Sequence, residues 1–184
     1  NYTGEQTVGW SIVKKTLAVS VDDRTVLYGD AEPVFTLSFS GFVGGEDESV
    51  LGGAPTFTTD YVLGSPVGIY QVSVAGYTSD NYMIMYAKGS LTVNPAPFTV
   101  EVSGTYRYSG VEQTVAYNVT GVGGSPIVPG TDYDVSGDRY TDAGDYFLTV
   151  TGMGNYRGTQ TFGWSIGKTT LNITADDRTV TFGD

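Results

Sequence analysis

Apolar and polar residues alternate along most of this chain with a period of two. Leu17, Val19 and Val21 fall on one side of such a run, with Ala18, Ser20 and Asp22 on the other. That is the signature of a strand with one buried face. The same pattern predicts strands over residues 7–12, 25–28, 34–39, 55–62, 68–75 and 82–93, the last broken near Lys88-Gly89. Paired glycines bracket Glu46-Asp47-Glu48-Ser49-Val50-Leu51, which reads either as one helical turn or as an irregular loop.

Asn94-Pro95-Ala96-Pro97 is the predicted linker, because two prolines in three residues cannot sit inside a central strand and they stiffen a short connection. Beyond it the pattern repeats in altered wording. Phe98, Val100 and Val102 replay Leu17, Val19 and Val21; Tyr106 to Tyr108 replay the short second strand, and residues 114–119 the third. Residues 121–130 form a loop rich in Gly and Pro. From Gly144 the second half lines up with the first from Gly68, and both reach an Asn-Tyr pair, at Asn81-Tyr82 and Asn155-Tyr156. The predicted modules are therefore residues 14–94 and 95–167.

A stronger regularity overlies this one. Gly9-Trp10-Ser11-Ile12 answers Gly163-Trp164-Ser165-Ile166, and Asp22-Asp23-Arg24-Thr25-Val26 answers Asp176-Asp177-Arg178-Thr179-Val180, at a constant offset of 154 residues from Asn1 to Asn155. Self-similarity at a fixed spacing is the mark of a tandem array. The chain reads as one full period plus the first thirty residues of the next. Residues 1–13 are expected to be the last strand of a preceding module, its apolar face partly uncovered, and residues 168–184 the first strands of a following one.

Composition agrees with an all-β chain: 14 Tyr and 8 Phe, with abundant Val and Thr, stand against 26 Gly. A net charge of −11 repels phosphate backbones and anionic membrane surfaces, so nucleic acid is an unexpected partner. Cys and His are both missing. That removes disulfides, thiol nucleophiles, Ser-His-Asp and Cys-His arrangements, and His- or thiolate-held metals. No run of apolar residues is long enough to span a bilayer, and no leader opens the segment, although one could lie upstream.

The string Gly144-Asp145-Tyr146-Phe147-Leu148-Thr149-Val150, preceded by Asp142, resembles the penultimate strand of immunoglobulin-like domains. The resemblance implies that Tyr70 and Tyr146 are tyrosine-corner residues, with Val72 and Leu148 where antibody domains place a Cys. The missing Cys pair and the late Trp point to the broad bacterial Ig-like group. In the first half, Tyr28-Gly29-Asp30, Phe39-Ser40-Gly41-Phe42-Val43-Gly44-Gly45-Glu46-Asp47, Ser65-Pro66-Val67-Gly68-Ile69-Tyr70 and Gly89-Ser90-Leu91-Thr92-Val93 resemble the MBG domain of the Tyr-Gly-x type. Such mostly-β modules occur in tandem in large bacterial surface proteins and adhesins. The expected fold is all-β, with two tandem Ig-like β-sandwich modules and partial modules at both ends. A β-grasp arrangement is the alternative if residues 46–51 form a helix packed on the sheet.

Candidate chemistry is sparse. Tyr70 and Tyr146 read as corner residues before ligand platforms, and Trp10 and Trp164 as core or junction packing before a sugar platform. The clusters Glu46-Asp47-Glu48, Asp22-Asp23 and Asp132, Asp134, Asp138 lack the spacing of a calcium loop and read as solvated charge, with a local ion pair at Asp22-Asp23-Arg24. Lys14, Lys15, Lys88 and Lys168 lie at strand ends or linkers, which disfavours an isopeptide cross-link. No catalytic, cofactor or metal site is expected. The expected role is a structural stalk segment of an extracellular, cell-surface protein, whose partners are neighbouring modules of the same chain. A module that adheres to a host glycan or protein through the loops at 41–53 and 121–130 is the alternative.

Overall fold

The computed structural model describes residues 1–183. The chain divides into two compact units between Ala96 and Pro97, within the predicted linker. Both are built of strands.

The first unit contains β1 (Lys15–Val21), β2 (Arg24–Leu27), β3 (Leu37–Ser40), a 3-10 turn (Glu48–Val50), β4 (Gly52–Thr59), β5 (Gly68–Thr78), β6 (Tyr82–Ala87) and β7 (Gly89–Asn94). They form two sheets, ordered β3-β1-β6 and β2-β7-β5-β4. Alternation turns Leu17, Val19 and Val21 of one sheet and Val72, Val74, Leu91 and Val93 of the other into a single core. This is a sandwich built on the period-two rule.

Three expectations for this unit need correction. The strand predicted over 34–39 begins only at Leu37, where Val21, the last residue of β1, supplies a partner. Phe35 is buried outside any strand and Val34 is exposed. A β-grasp helix is also not formed: residues 48–50 make a three-residue 3-10 turn capped by the Asp47 side chain, too short to cover a sheet. Finally, the break near Lys88 separates more than two halves of one strand. β6 runs parallel to β1 in one sheet, and β7 runs parallel to β2 in the other.

That break is a shared crossing. β1 passes into β2 at Asp22-Asp23 while β6 passes into β7 at Lys88, so a two-stranded ribbon changes sheets as a pair. The crossing is tight: a Cβ on Gly89 would lie 2.5 Å from the Val21 carbonyl oxygen. Only a residue without a side chain fits there.

The second unit contains β8 (Thr99–Ser103), β9 (Tyr106–Arg107), β10 (Gln113–Thr114), β11 (Ala116–Thr120), a 3-10 turn (Val122–Gly124), β12 (Tyr133–Ser136), β13 (Arg139–Tyr140), β14 (Gly144–Gly152) and β15 (Thr159–Gly167). The sheets are β11-β8, β10-β13 and β12-β14-β15-β9. Phe98, Val100, Val119, Leu148, Val150 and Ile166 are buried at its centre. The strand predicted over 114–119 is split at buried Val115, β10 pairing with β13 and β11 with β8.

The registers of the two units correspond. Leu91 faces Tyr70 as Trp164 faces Tyr146, and Gly89 faces Val72 as Phe162 faces Leu148. A phenylalanine therefore occupies the position where the first unit's crossing requires glycine. β15 accordingly runs unbroken in one sheet, and among the described residues β8 pairs with β11 alone, where β1 has both β3 and β6.

The strand predicted over residues 7–12 is not formed. Residues 1–14 and 168–183 carry no strand, and Asp184 lies outside the described residues. Trp10, at 83 % exposure, is in no core. The copy of its sequence at Trp164 has β14 and β9 beside it, whereas residues 7–12 have no strand beside them. A single strand leaves its backbone groups unpaired and gains nothing from alternation.

Candidate functional site

The residues singled out by sequence sit mainly in two aromatic clusters, one per unit. In the first, the Tyr70 hydroxyl donates to the Pro66 carbonyl at 2.7 Å, four residues upstream. Tyr61 meets the Tyr70 ring edge-on at 5.6 Å and donates its own hydroxyl to the Asp30 carbonyl at 2.5 Å. In the second, the Tyr146 hydroxyl donates to the Asp142 carbonyl at 2.8 Å. Each hydroxyl is therefore engaged by main chain just ahead of its own strand.

Trp164 is buried, and its indole N–H donates to the Gly137 carbonyl at 2.9 Å. Tyr106 and Tyr146 flank its ring at 5.4 and 5.5 Å, and Tyr140 stacks on Tyr146 at 3.7 Å. Tyr106 also bridges strands: its hydroxyl accepts from the Ala116 N–H at 2.6 Å and donates to the Ser103 carbonyl at 3.0 Å. With the polar atoms of Trp164 and Tyr106 engaged in this way, the four-ring group packs the end of a sandwich. Trp10 joins neither cluster.

The carboxylates at 46–48 are exposed, as expected of them, and they also accept bonds from side chains of the core. The Tyr77 hydroxyl donates to Glu48, and the Tyr82 hydroxyl donates to Glu46 while accepting from the Val43 N–H at 3.1 Å. Both tyrosines are buried. Asp47, between the two glutamates, accepts from the Ser49 N–H and hydroxyl at 2.9 and 2.6 Å. These contacts clamp the loop between β3 and β4 onto the core. Burial, reinforced by the Glu48 carboxylate, pushes the Tyr77 hydroxyl up to about 12, and the bond to Glu46 raises Tyr82. The sequence offered no local sign of this, because the partners lie 29 and 36 residues apart.

Asp22 and Asp23 form no ion pair with Arg24 among the described residues. Asp22 accepts from the Thr36 hydroxyl and from the Ser38 hydroxyl at 2.6 Å, while Arg24 donates to Thr36 at 2.7 Å. Asp23 accepts from the Ser90 N–H at 2.7 Å and its hydroxyl at 2.8 Å, which staples the sheet crossing. The Ser38 and Thr36 hydroxyls lower the Asp22 carboxyl, and Ser90 lowers that of Asp23. In the second unit, Asp132 accepts from the Val128 N–H at 2.9 Å and Asp138 pairs with Arg139 at 3.3 Å.

The lysines are placed by local contacts: Lys14 donates to the Ser79 carbonyl at 2.8 Å and Lys88 to the Gln71 side chain at 3.1 Å. Among the described residues no group of three or more acidic side chains converges as metal ligands, and no helix is long and apolar enough to cross a membrane.

The fold thus defines an all-β protein of tandem sandwich units whose polar side chains mostly brace main chain. Residues 17–92, which include most of β1 to β7, match the family model of the MBG domain (YGX type), a β-rich repeat domain. The Tyr28-Gly29-Asp30 string lies within that match. No curated protein matches the chain.

Proposed function

We propose that this chain is a structural segment of a tandem array, serving as the stalk of a bacterial cell-surface protein or adhesin that holds another domain away from the envelope. The observation that carries this reading is the repeat at a constant offset of 154 residues, from Asn1 to Asn155, laid over two separately cored β units. Units joined end to end with mainly nearest-neighbour contacts give length without enlarging any one core. The match of residues 17–92 to a repeat domain typical of surface proteins supports it. So does the use of Tyr77, Tyr82, Asp22 and Asp23 as internal braces, a non-catalytic employment of the side chains that could otherwise do chemistry.

Small-angle scattering on natural segments of one, two and three periods tests the reading. A stalk gives a maximum dimension that grows in proportion to the number of periods. A dimension that grows only as the cube root of mass, as for a globule, overturns it.

A further inference from the structure

The sequence Tyr82-Met83-Ile84-Met85-Tyr86 is a palindrome about Ile84, with an acid, Asp80, two residues before it and a base, Lys88, two residues after it. These residues lie in β6, the outer strand of the sheet β3-β1-β6, and among the described residues no strand pairs with its other edge. β6 lies wholly inside the matched span 17–92, so this edge belongs to the first unit itself and not to either end of the chain.

Main-chain groups are available there. The Lys15 N–H donates to the Asn81 carbonyl at 3.0 Å, which fixes the side of β6 that faces β1. Successive residues of a strand turn their N–H and C=O groups to opposite sides, so Tyr82, Ile84 and Tyr86 turn theirs away from β1. The Tyr82 N–H is held by the Ser79 hydroxyl at 3.0 Å, which leaves Ile84, the Tyr86 N–H and the Tyr82 carbonyl for a new partner. On the outer face of the strand Met83 and Met85 are 51 and 54 % exposed, while Ile84 packs against the core.

Proteins blunt the sheet edges they do not use, by shortness, proline or charge. β2 and β3 have four residues each, and β4 carries Pro55 with a register shift between Gly53 and Thr56. β6 has six residues, with neither proline nor charge.

We infer that β6 pairs antiparallel with β6 of a second copy about a twofold axis at Ile84, joining two three-stranded sheets into one. Charge selects both the occupant and the direction. The chain carries a net charge of −11, which opposes self-association over most of its surface, but residues 81–87 are uncharged. Twofold pairing sets Asp80 of each copy opposite Lys88 of the other, whereas parallel pairing sets like charges together. Both side chains are exposed, and Lys88 donates to the neutral Gln71 side chain at 3.1 Å. Within the joint Ile84 faces its own mate and Met83 faces Met85, so flexible thioether side chains cover its outer face. A contact of this isologous kind closes at two copies.

The test uses the full chain. Sedimentation equilibrium should show monomers in exchange with dimers and nothing larger, and amide exchange at Ile84 and Tyr86 should slow as dimers form. D80K and K88D should each weaken dimerisation about tenfold at low salt, since each replaces two opposite-charge contacts by two like-charge ones. D80K also reduces the net negative charge, so general repulsion between copies would change its association in the opposite direction. Mixing D80K and K88D in equal amounts restores opposite charges across the joint and should recover dimers holding one of each, a recovery that misfolded variants could not give. Four results overturn the inference: a wild-type monomer at every concentration, association beyond two copies, single variants that dimerise like wild type, or a mixture that associates no better than its components.

Discussion

The Tyr77 hydroxyl donates to the carboxylate of Glu48, so a buried ring on β5 holds down a loop rich in glycine and acidic residues. With the companion bond from Tyr82 to Glu46, two core tyrosines fix residues 41–51 to the sandwich. The loop that the sequence offered as a contact surface is thus braced onto the core of its unit.

Breaking that contact should weaken the first unit. Tyr77→Phe and Glu48→Gln should each cost about 1–2 kcal/mol, the range for a hydrogen bond to a charged group that is partly open to water. The double variant should cost less than the sum of the two. Urea unfolding followed by tyrosine fluorescence and circular dichroism gives the three values, and strict additivity would show that the contact contributes nothing.

Alkaline pH should release the same clamp. In the unfolded chain a tyrosine titrates at about 10, and in the folded protein Tyr77 is held up to about 12. The folded state thus keeps its proton more tightly. Its contribution is complete below about pH 10 and is lost as pH rises toward the folded value. Stability measured from pH 8 to 12 should fall more steeply for wild type than for Tyr77→Phe.

Acid should act at the sheet crossing. The folded carboxyl of Asp22 is lowered by the hydroxyls of Ser38 on β3 and Thr36 just before it, and that of Asp23 by Ser90 on β7. Their contribution is present above the unfolded value of about 4 and disappears as pH falls through the folded values. Asp22→Asn and Asp23→Asn should flatten the stability profile between pH 5 and the acid limit. An unchanged slope would remove these aspartates from the account.

At the same crossing, Gly89→Val should destabilise the first unit by about 1–3 kcal/mol or more, the usual cost of forcing volume into a packed site. The new Cβ would meet both the carbonyl oxygen and the Cβ of Val21, at 2.5 and 2.9 Å. Thermal unfolding measures the loss. A neutral result would mean that the ribbon can open as the second unit's does at Phe162.

The two tryptophans should behave as opposites. In dilute solution Trp10 should be quenched freely by iodide while Trp164 is protected, as their exposures of 83 % and 8 % require. Trp164→Ala should cost about 3–5 kcal/mol through the cavity it leaves. Trp10→Ala should leave unfolding of both units unchanged.

Much of this was legible in the chain. Alternation at Leu17, Val19 and Val21 and at Val72 and Val74 named core residues of the first unit, because a side-chain period of two leaves one choice of inward face. Pro95 and Pro97 marked where the units divide. The bonds from Tyr70 and Tyr146 to backbone four residues upstream span distances short enough for local sequence to encode.

The reach of local sequence ends where a partner is needed. Glu46 and Glu48 face solvent as read, but that they also hold Tyr82 and Tyr77 depends on the fold carrying those rings to them from β6 and β5. Gly-Trp-Ser-Ile occurs twice with the same letters, as coil at residues 9–12 and as strand at residues 163–166. Sequence determined which face each residue of such a segment would show. Only tertiary structure decided whether there was a strand at all, since β-structure exists between segments and its hydrogen bonds belong to the pair.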